Sequence, residues 1–279
     1  MVEKKTTKAI TLIVGYAAMI ICLLLCVYPL IWMVFGSLKT TTDFYTNVWG
    51  PPVQFIWENY VEAWRRADMT IRYINSFFIT GLYLVIIIPA ACCAAYSFAR
   101  LRFKGRNKLY FFLLCGIMIP TGVLTLPLYS TMVSLGLINS RIGLAFTYAG
   151  TSAAFSTFMM RGFFISLPKS LEEAACIDGC TLFGAFRRVI LPLTKPGIVI
   201  LVIYNGLSNW TEYHLASLVL TNSTKQTVPV GMALFQANNA IQYPVLFAAL
   251  ALATIPMVIV YVLCQKSFIS GMTAGAVKG

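Results

Sequence analysis

Stretches without a charged side chain run from Ala9 to Leu38, Tyr73 to Ala99, Leu109 to Ser140, Ile142 to Met160, Pro196 to Thr211 and Gln226 to Gln265, and short basic gaps part most of them. A membrane crossing needs about 20 mostly apolar residues, so five runs are long enough as they stand. The Pro196 run reaches that length only if its helix continues through Glu212 toward Leu215. Within the last run Asn222 to Tyr243 is polar and reads as a loop, which puts a sixth span near Pro244 to Cys264. The pattern predicts an all-α membrane protein of six transmembrane helices. Lys4, Lys5 and Lys8 precede the first run as they would in a signal peptide, but such a core is about 7 to 15 residues. This run is about twice that length and reads as an anchor that stays.

Composition agrees: 59% of side chains are hydrophobic and 11% charged, with mean hydropathy +0.79. Soluble domains carry about a quarter charged residues, and disordered chains lack this much apolar surface. The net charge of +12 could suggest nucleic acid, so its placement matters. Assigning the N-terminus, the Arg100 to Lys108 gap, the Arg161 to Lys195 gap and the C-terminus to one side gathers 15 of the 21 basic residues and four of the nine acidic ones there, a balance of +11 against +1. By the positive-inside rule both termini are cytoplasmic. The charge is then a topology signal and needs no nucleic-acid partner. This reading divides the chain into an anchor helix with an external loop (1–72), a membrane core (73–264) and a cytoplasmic tail (265–279). Of the eight cysteines none is required to pair. Cys176 and Cys180 lack a second pair or a nearby His, a poor metal site. No catalytic cluster, metal site or cofactor of this chain's own is expected. Nothing matches G-x-x-x-x-G-K-[ST], so no loop cradles ATP phosphates.

The most informative segment is the cytoplasmic loop from Arg161 to Pro192. It reads as two short helices. Ser170 with Glu173 three residues on has the form of a capping box, and Asp178-Gly179 ends the first helix in a left-handed turn. Thr181 can cap the second, whose apolar residues Leu182, Phe183, Phe186, Val189 and Ile190 face away from Arg187 and Arg188. Pro192 is expected to end it, and Thr194 with Pro196 to open the fifth span. An ordered hairpin of this kind either docks on a cytoplasmic partner or lies flat on lipid as an amphipathic helix.

Glu173-Ala174-Ala175, three residues, Gly179, nine residues, then Val189-Ile190-Leu191-Pro192 resembles the EAA loop of ABC importer permeases. Ser37-Leu38-Lys39, Asn59-Tyr60, Asn75-Ser76, Ile119-Pro120 with Pro127-Leu128-Tyr129, Gly136 to Ser140 and the tail Gly271 to Gly279 resemble the carbohydrate-uptake branch, its MalG-like half. That resemblance implies a type I permease fold with a cytoplasmic coupling hairpin, in a multi-pass protein of a bacterial inner or plasma membrane. It implies three kinds of partner: a second, MalF-like permease, a pair of identical ATPase subunits carrying ATP and Mg, and an extracytoplasmic solute-binding protein. On this reading Glu173 faces a basic residue of the ATPase, Ala174 and Ala175 allow close approach, and Gly179 makes the turn. Asp178 serves as a turn cap or a contact, and Leu191 and Pro192 complete the motif. The tail either frays or reaches between the ATPase subunits.

Polar groups inside spans are costly and often functional. Asn205, Ser208, Asn209, Trp210, Glu212 and Tyr213 cluster on the fifth span. Asn205, Asn209, Trp210 and Tyr213 are candidates to line a sugar pathway, since amides and aromatic faces suit a sugar. Interhelical hydrogen bonding and an interfacial aromatic belt are the alternatives. His214, the sole histidine, is expected near the outer surface. Two other solute classes stay open, a different small polar solute such as glycerol phosphate and the cargo of a secondary transporter. The latter would suit spans broken at Pro120, Pro127 and Gly206.

Overall fold

The computed structural model describes residues 2–235 and 241–276, with side chains over 12–235 and 241–265. Among the described residues regular structure is entirely helical. In chain order the α-helices are α1 (Val2–Ser37), α2 (Thr41–Thr46), α3 (Glu58–Arg66), α4 (Met69–Arg100), α5 (Arg106–Cys115), α6 (Thr121–Ser134), α7 (Arg141–Ser166), α8 (Ser170–Ile177), α9 (Leu182–Ala185), α10 (Leu191–Leu193), α11 (Lys195–Trp210), α12 (His214–Val219), α13 (Val228–Met232) and α14 (Tyr243–Ala276). The expected tail lies partly in α14, and its last residues, 277–279, are outside the described ones. Two compact units result: Met1–Asp68 with Met232–Thr254, and Met69–Gly231 with Ile255–Gly279.

In the first unit α1 carries an apolar stretch, Leu12–Ser37, none of whose most apolar window is buried within the chain. Leu23, Leu24 and Leu25 are more than half exposed, which suits lipid as the solvent. Its C-terminal end is fixed by polar contacts. Asn59 donates to the carbonyls of Ser37 at 2.8 Å and Lys39 at 2.9 Å, satisfying groups a helix end leaves open. The buried Lys39 ammonium donates to the Asn47 carbonyl. Trp32 packs edge-on against Phe247 at 4.9 Å, and Phe44 stacks on Tyr243 at 5.5 Å.

The core of the second unit is the seam between α4 and α7. Ile79, Tyr83, Ile87, Ala91 and Ala95 recur every fourth residue on α4 and are buried. They share a hydrophobic cluster with Leu144, Ala145, Tyr148, Ala149, Met160 and Phe164 of α7. Stripes at i, i+4 form one face of a helix, and their alanines let the two backbones approach closely. Gly197 and Leu201, four apart, bury α11; a Cβ at Gly197 would stand 2.6 Å from the Phe163 ring.

Three stretches, Leu12–Ser37, Met69–Arg100 and Tyr243–Gln265, are long and apolar enough to cross a membrane. Two bent pairs raise the number to five. The Leu109 to Ser140 run, expected as one span, is broken: α5 and α6 meet at 100°. Pro120 is the cause. It offers no N–H and drives Ile119 to an extended ψ of 115°. The fifth helix likewise stops at Trp210 instead of running on to Leu215, and the chain turns through Thr211 to Tyr213 before α12. α7 has the length of a span, but Thr147, Thr151, Ser152, Ser156 and Thr157 dilute its apolar character. The chain is a multi-pass membrane protein.

Candidate functional site

Two features of the second unit carry candidate chemistry, the hairpin after α7 and a cavity among α4, α6, α7 and α11. In the hairpin the capping box does not form. Ser170 is already helical and makes no cap bond; Lys169 is the N-cap residue, and its carbonyl accepts from the Glu173 N–H at 3.2 Å. The carboxylate that is held belongs to Glu172, which meets Arg100 Nε at 2.8 Å with both side chains nearly buried. Arg100 also donates to the Leu167 carbonyl at 2.7 Å, so the end of α4 clamps both sides of the α7 to α8 junction. Glu173 lies on the other face, exposed with Ala174, while Ala175 is buried.

α8 ends in a Schellman turn: Cys180 N–H donates to Ala175 O at 2.9 Å and Gly179 N–H to Cys176 O at 3.1 Å. Gly179 has φ +86°, a conformation open to glycine and strained for other residues. Asp178 occupies the cap position, but backbone bonds alone make the turn and its carboxylate is exposed without a partner among the described residues. Thr181 caps α9 as expected, accepting from Gly184 N–H at 3.1 Å. The apolar face expected on this helix is divided. Phe186 and Ile190 are buried, Val189 packs at the edge of the core, and Leu182 and Phe183 are 58% and 66% exposed.

Pro192 does not end the helix. Phe186–Ile190 widen into a π turn, in which the Leu191 N–H bonds to Phe186 O, and α10 carries Pro192 onward. A widened turn relieves the contact between the proline ring and the carbonyl four residues back. The break falls two residues later, where α11 departs at 73°. Thr194 is the N-cap residue of α11 and Pro196 stands in its first turn, as expected, but the Thr194 hydroxyl makes no cap bond and donates backward to Ile190 O and Leu191 O. Leu191 is partly buried.

The cavity, of about 350 Å³, is lined by Tyr83 of α4, Thr121, Gly122, Thr125 and Leu128 of α6, Tyr148, Thr151, Ser152 and Phe155 of α7, Tyr204, Asn205, Ser208 and Asn209 of α11, and Glu212, His214 and Leu215 beyond it. Asn205, 1% exposed, is fully engaged. It accepts from Tyr83 Oη at 2.6 Å and donates to Ser156 Oγ at 3.1 Å and to the Leu201 carbonyl at 3.0 Å. Asn209 accepts from Thr80 Oγ1 at 2.8 Å, and its buried amide nitrogen has no partner among the described residues. Glu212 is anchored by three donors: the Tyr148 hydroxyl, Leu215 N–H at 2.7 Å and Ala216 N–H at 3.1 Å. A carboxylate over the first N–H groups of α12 is electrostatically favoured there.

Of the four pathway candidates, then, Asn205 and Asn209 line the cavity. Trp210 and Tyr213 do not. Trp210 is buried in an aromatic cluster with Phe77 at 4.9 Å and Tyr73 at 6.1 Å, and Tyr213 is partly exposed with its ring 5.7 Å from His214.

Residues 87–273 match the family of binding-protein-dependent transport system inner membrane components. The chain belongs to that family. It is 36% identical to the probable ABC transporter permease protein YurM of Bacillus subtilis (strain 168) over 254 residues, which cover 90% of this chain and 84% of the relative. It is 34% identical over 284 residues to the trehalose/maltose transport system permease protein MalG of Thermococcus litoralis, covering 99% of each. Its fold is that of a chain in the crystal structure of a bacterial ABC transporter involved in the import of the acidic polysaccharide alginate. There the TM-score is 0.82 at 24% identity, over 94% of this chain and 98% of that one.

The stretch matched to the inner membrane components contains the whole hairpin and nearly all of the cavity lining, only Tyr83 preceding it. It also contains residues that sequence reasoning missed: Tyr148, Thr151 and Ser152 of α7 and Thr121 and Thr125 of α6. Their signal was present as an unusual density of hydroxyl side chains in apolar runs. Only the packing of α7 against α4 and α11 shows that these hydroxyls share one cavity with the amides.

Proposed function

We propose that this chain is one of two permease subunits of an ATP-driven importer for a sugar or oligosaccharide, delivered by an extracytoplasmic binding protein. Six membrane crossings with both termini cytoplasmic complete this reading, α7, the bent pair α5–α6 and α11 each counting as one. The observation that carries it is the two-sided hairpin. One side is tied to α4 through Glu172 and Arg100. The other offers Glu173, Asp178, Leu182, Phe183 and Ile177, the last 86% exposed, to an outside surface. A carboxylate ringed by exposed apolar groups suits a basic, apolar cleft on an ATPase better than a bilayer surface, where interfacial helices are rich in Lys and Arg. Glu173 and Asp178 meet the ATPase, the exposed Ala174 permits its close approach while the buried Ala175 seats α8 on its own chain, Gly179 sets the turn, and Leu191 and Pro192 carry the motion into α11. ATP and its Mg stay on the partner subunits. The tail runs toward those subunits.

Carbohydrate is the favoured cargo because relatives such as the trehalose/maltose permease are named for sugars, and because the cavity sets aromatic rings beside hydroxyls and amides. Its lining contains a carboxylate and neither Lys nor Arg, which disfavours a phosphorylated solute such as glycerol phosphate. Ion-coupled secondary transport is disfavoured because Glu212, the carboxylate at hand, is held by three donors.

The test is expression with the neighbouring ATPase and permease genes, purification, and sugar uptake into proteoliposomes. The complex is expected to co-purify and transport only with ATP, and Glu173→Lys to lose uptake while folding normally. Transport by this chain alone, or full uptake by Glu173→Lys, would refute the coupling role.

A further inference from the structure

The second concavity of the second unit lies at the end of α4, across the α4–α5 turn and up to Lys169, with a volume of about 590 Å³. Arg100, Arg102, Arg106, Lys108 and Lys169 line it beside Phe103, and no Asp or Glu does. Arg100 is neutralised by Glu172, and Arg106 is spent on the Leu101 carbonyl and on Asn107. Arg102, Lys108 and Lys169 are exposed and have no carboxylate partner among the described residues. With Arg106, whose bonds to neutral groups leave its charge in place, they make four uncompensated cations around one recess, and the turn at Gly105, whose φ is +81°, brings Arg102, Arg106 and Lys108 together. Like charges so gathered repel one another unless an anion lies among them.

The surface beside the recess is apolar. Phe103 at its edge is 41% exposed, and along α5 Leu109, Phe111 and Phe112 are 53%, 69% and 76% exposed. A cationic pocket opening onto exposed phenylalanines and leucine matches a ligand with a negative head and a hydrocarbon body. We infer that this recess is a binding site for the headgroup of an anionic phospholipid, its acyl chains lying along α5. Free phosphate shares the head chemistry, but the apolar strip has no use for it. The site lies outside the coupling face and the cavity, and it stands whether or not the cargo is a sugar.

The test uses the full chain, purified with whatever partners accompany it, in nanodiscs of phosphatidylcholine with and without phosphatidylglycerol. Retained lipid is measured by mass spectrometry and the thermal midpoint is followed. Phosphatidylglycerol is expected to be enriched around the wild type and to raise its midpoint. Arg102→Gln, Lys108→Gln and Lys169→Gln should each weaken retention roughly fivefold, as about 1 kcal/mol per cation near a charged surface implies. The triple variant should lose both enrichment and shift while keeping its midpoint in phosphatidylcholine, and Arg187→Gln with Arg188→Gln, outside the recess, should keep both. Equal loss in that control would mean diffuse charge attraction and overturn the site. So would an equal shift from inorganic phosphate without lipid, or crosslinking of Lys108 and Lys169 to a partner subunit with no lipid retained.

Discussion

The Arg100–Glu172 pair offers the sharpest energetic test. At 2.8 Å, with side chains 5% and 13% exposed, the two charges neutralise each other in a poorly solvated place. Removing one leaves the other buried and unpaired, which costs about 3–5 kcal/mol. Arg100→Met and Glu172→Leu should each incur that cost, lowering the melting midpoint by roughly 6–20 °C at about 2–4 °C per kcal/mol. The double variant strands no charge. Its main loss is the Leu167 carbonyl, which Arg100 bonds at 2.7 Å, and one orphaned buried acceptor costs about 1–3 kcal/mol. The double variant should therefore be more stable than either single one. The assay is a double-mutant cycle on the purified chain in one detergent, by thermal or denaturant unfolding. Additive losses would show that the two side chains do not share one desolvated site, and the clamp between α4 and the hairpin would have to be abandoned.

Three further outcomes can be measured. Asn205→Leu strands Tyr83 Oη and Ser156 Oγ and should cost about 2–6 kcal/mol, at about 1–3 for each buried orphan; a midpoint within a degree of wild type would contradict the network. Gly197→Ala places a methyl 2.6 Å from the Phe163 ring and should cost about 1–3 kcal/mol by overpacking, with Phe163→Leu in the same chain recovering part of it. Failure of that second change to recover stability would put the strain elsewhere. Gly179→Ala forces an alanine to φ +86° and should cost about 1–2 kcal/mol, seen as faster proteolysis within the hairpin and not elsewhere in the chain.

The apolar runs made most of the long helices legible, because a membrane solvent selects them by length and composition. What they could not convey is where a run bends. Pro120 and Pro127 both lie within the Leu109 to Ser140 run, yet only Pro120 breaks it, while Pro127 sits inside α6. Pro127, the seventh residue of α6, forgoes one bond, to the Val123 carbonyl, and the helix runs on through it. In the hairpin the adjacent carboxylates of Glu172 and Glu173 are equivalent in composition. Helical phase separates them. Glu172 lies three residues before the buried Ala175 and shares its face, and Arg100 waits there from a helix about 70 positions earlier. Of the cavity, the amides of α11 were legible as costly groups in a span. The hydroxyls facing them were not, because isolated Thr and Ser satisfy themselves on the preceding turn, as Thr147 does at Gly143 O.

One helix links the two sites. α4 presents Tyr83 to the cavity and Arg100 to the hairpin, 17 residues and so about 25 Å apart along its axis. On the proposed coupling, a displacement of α8 reaches α4 through a charged clamp that cannot slip without stranding an ion, and α4 conveys it toward Tyr83 and the amide of Asn205. Pro89 lies on that path between the two sites and offers no N–H to the Val85 carbonyl. A rigid rod would move the cavity wall by the same amount as the hairpin. A rod missing that bond can instead turn a push at Arg100 into a change of tilt at Tyr83, whose hydroxyl donates to Asn205.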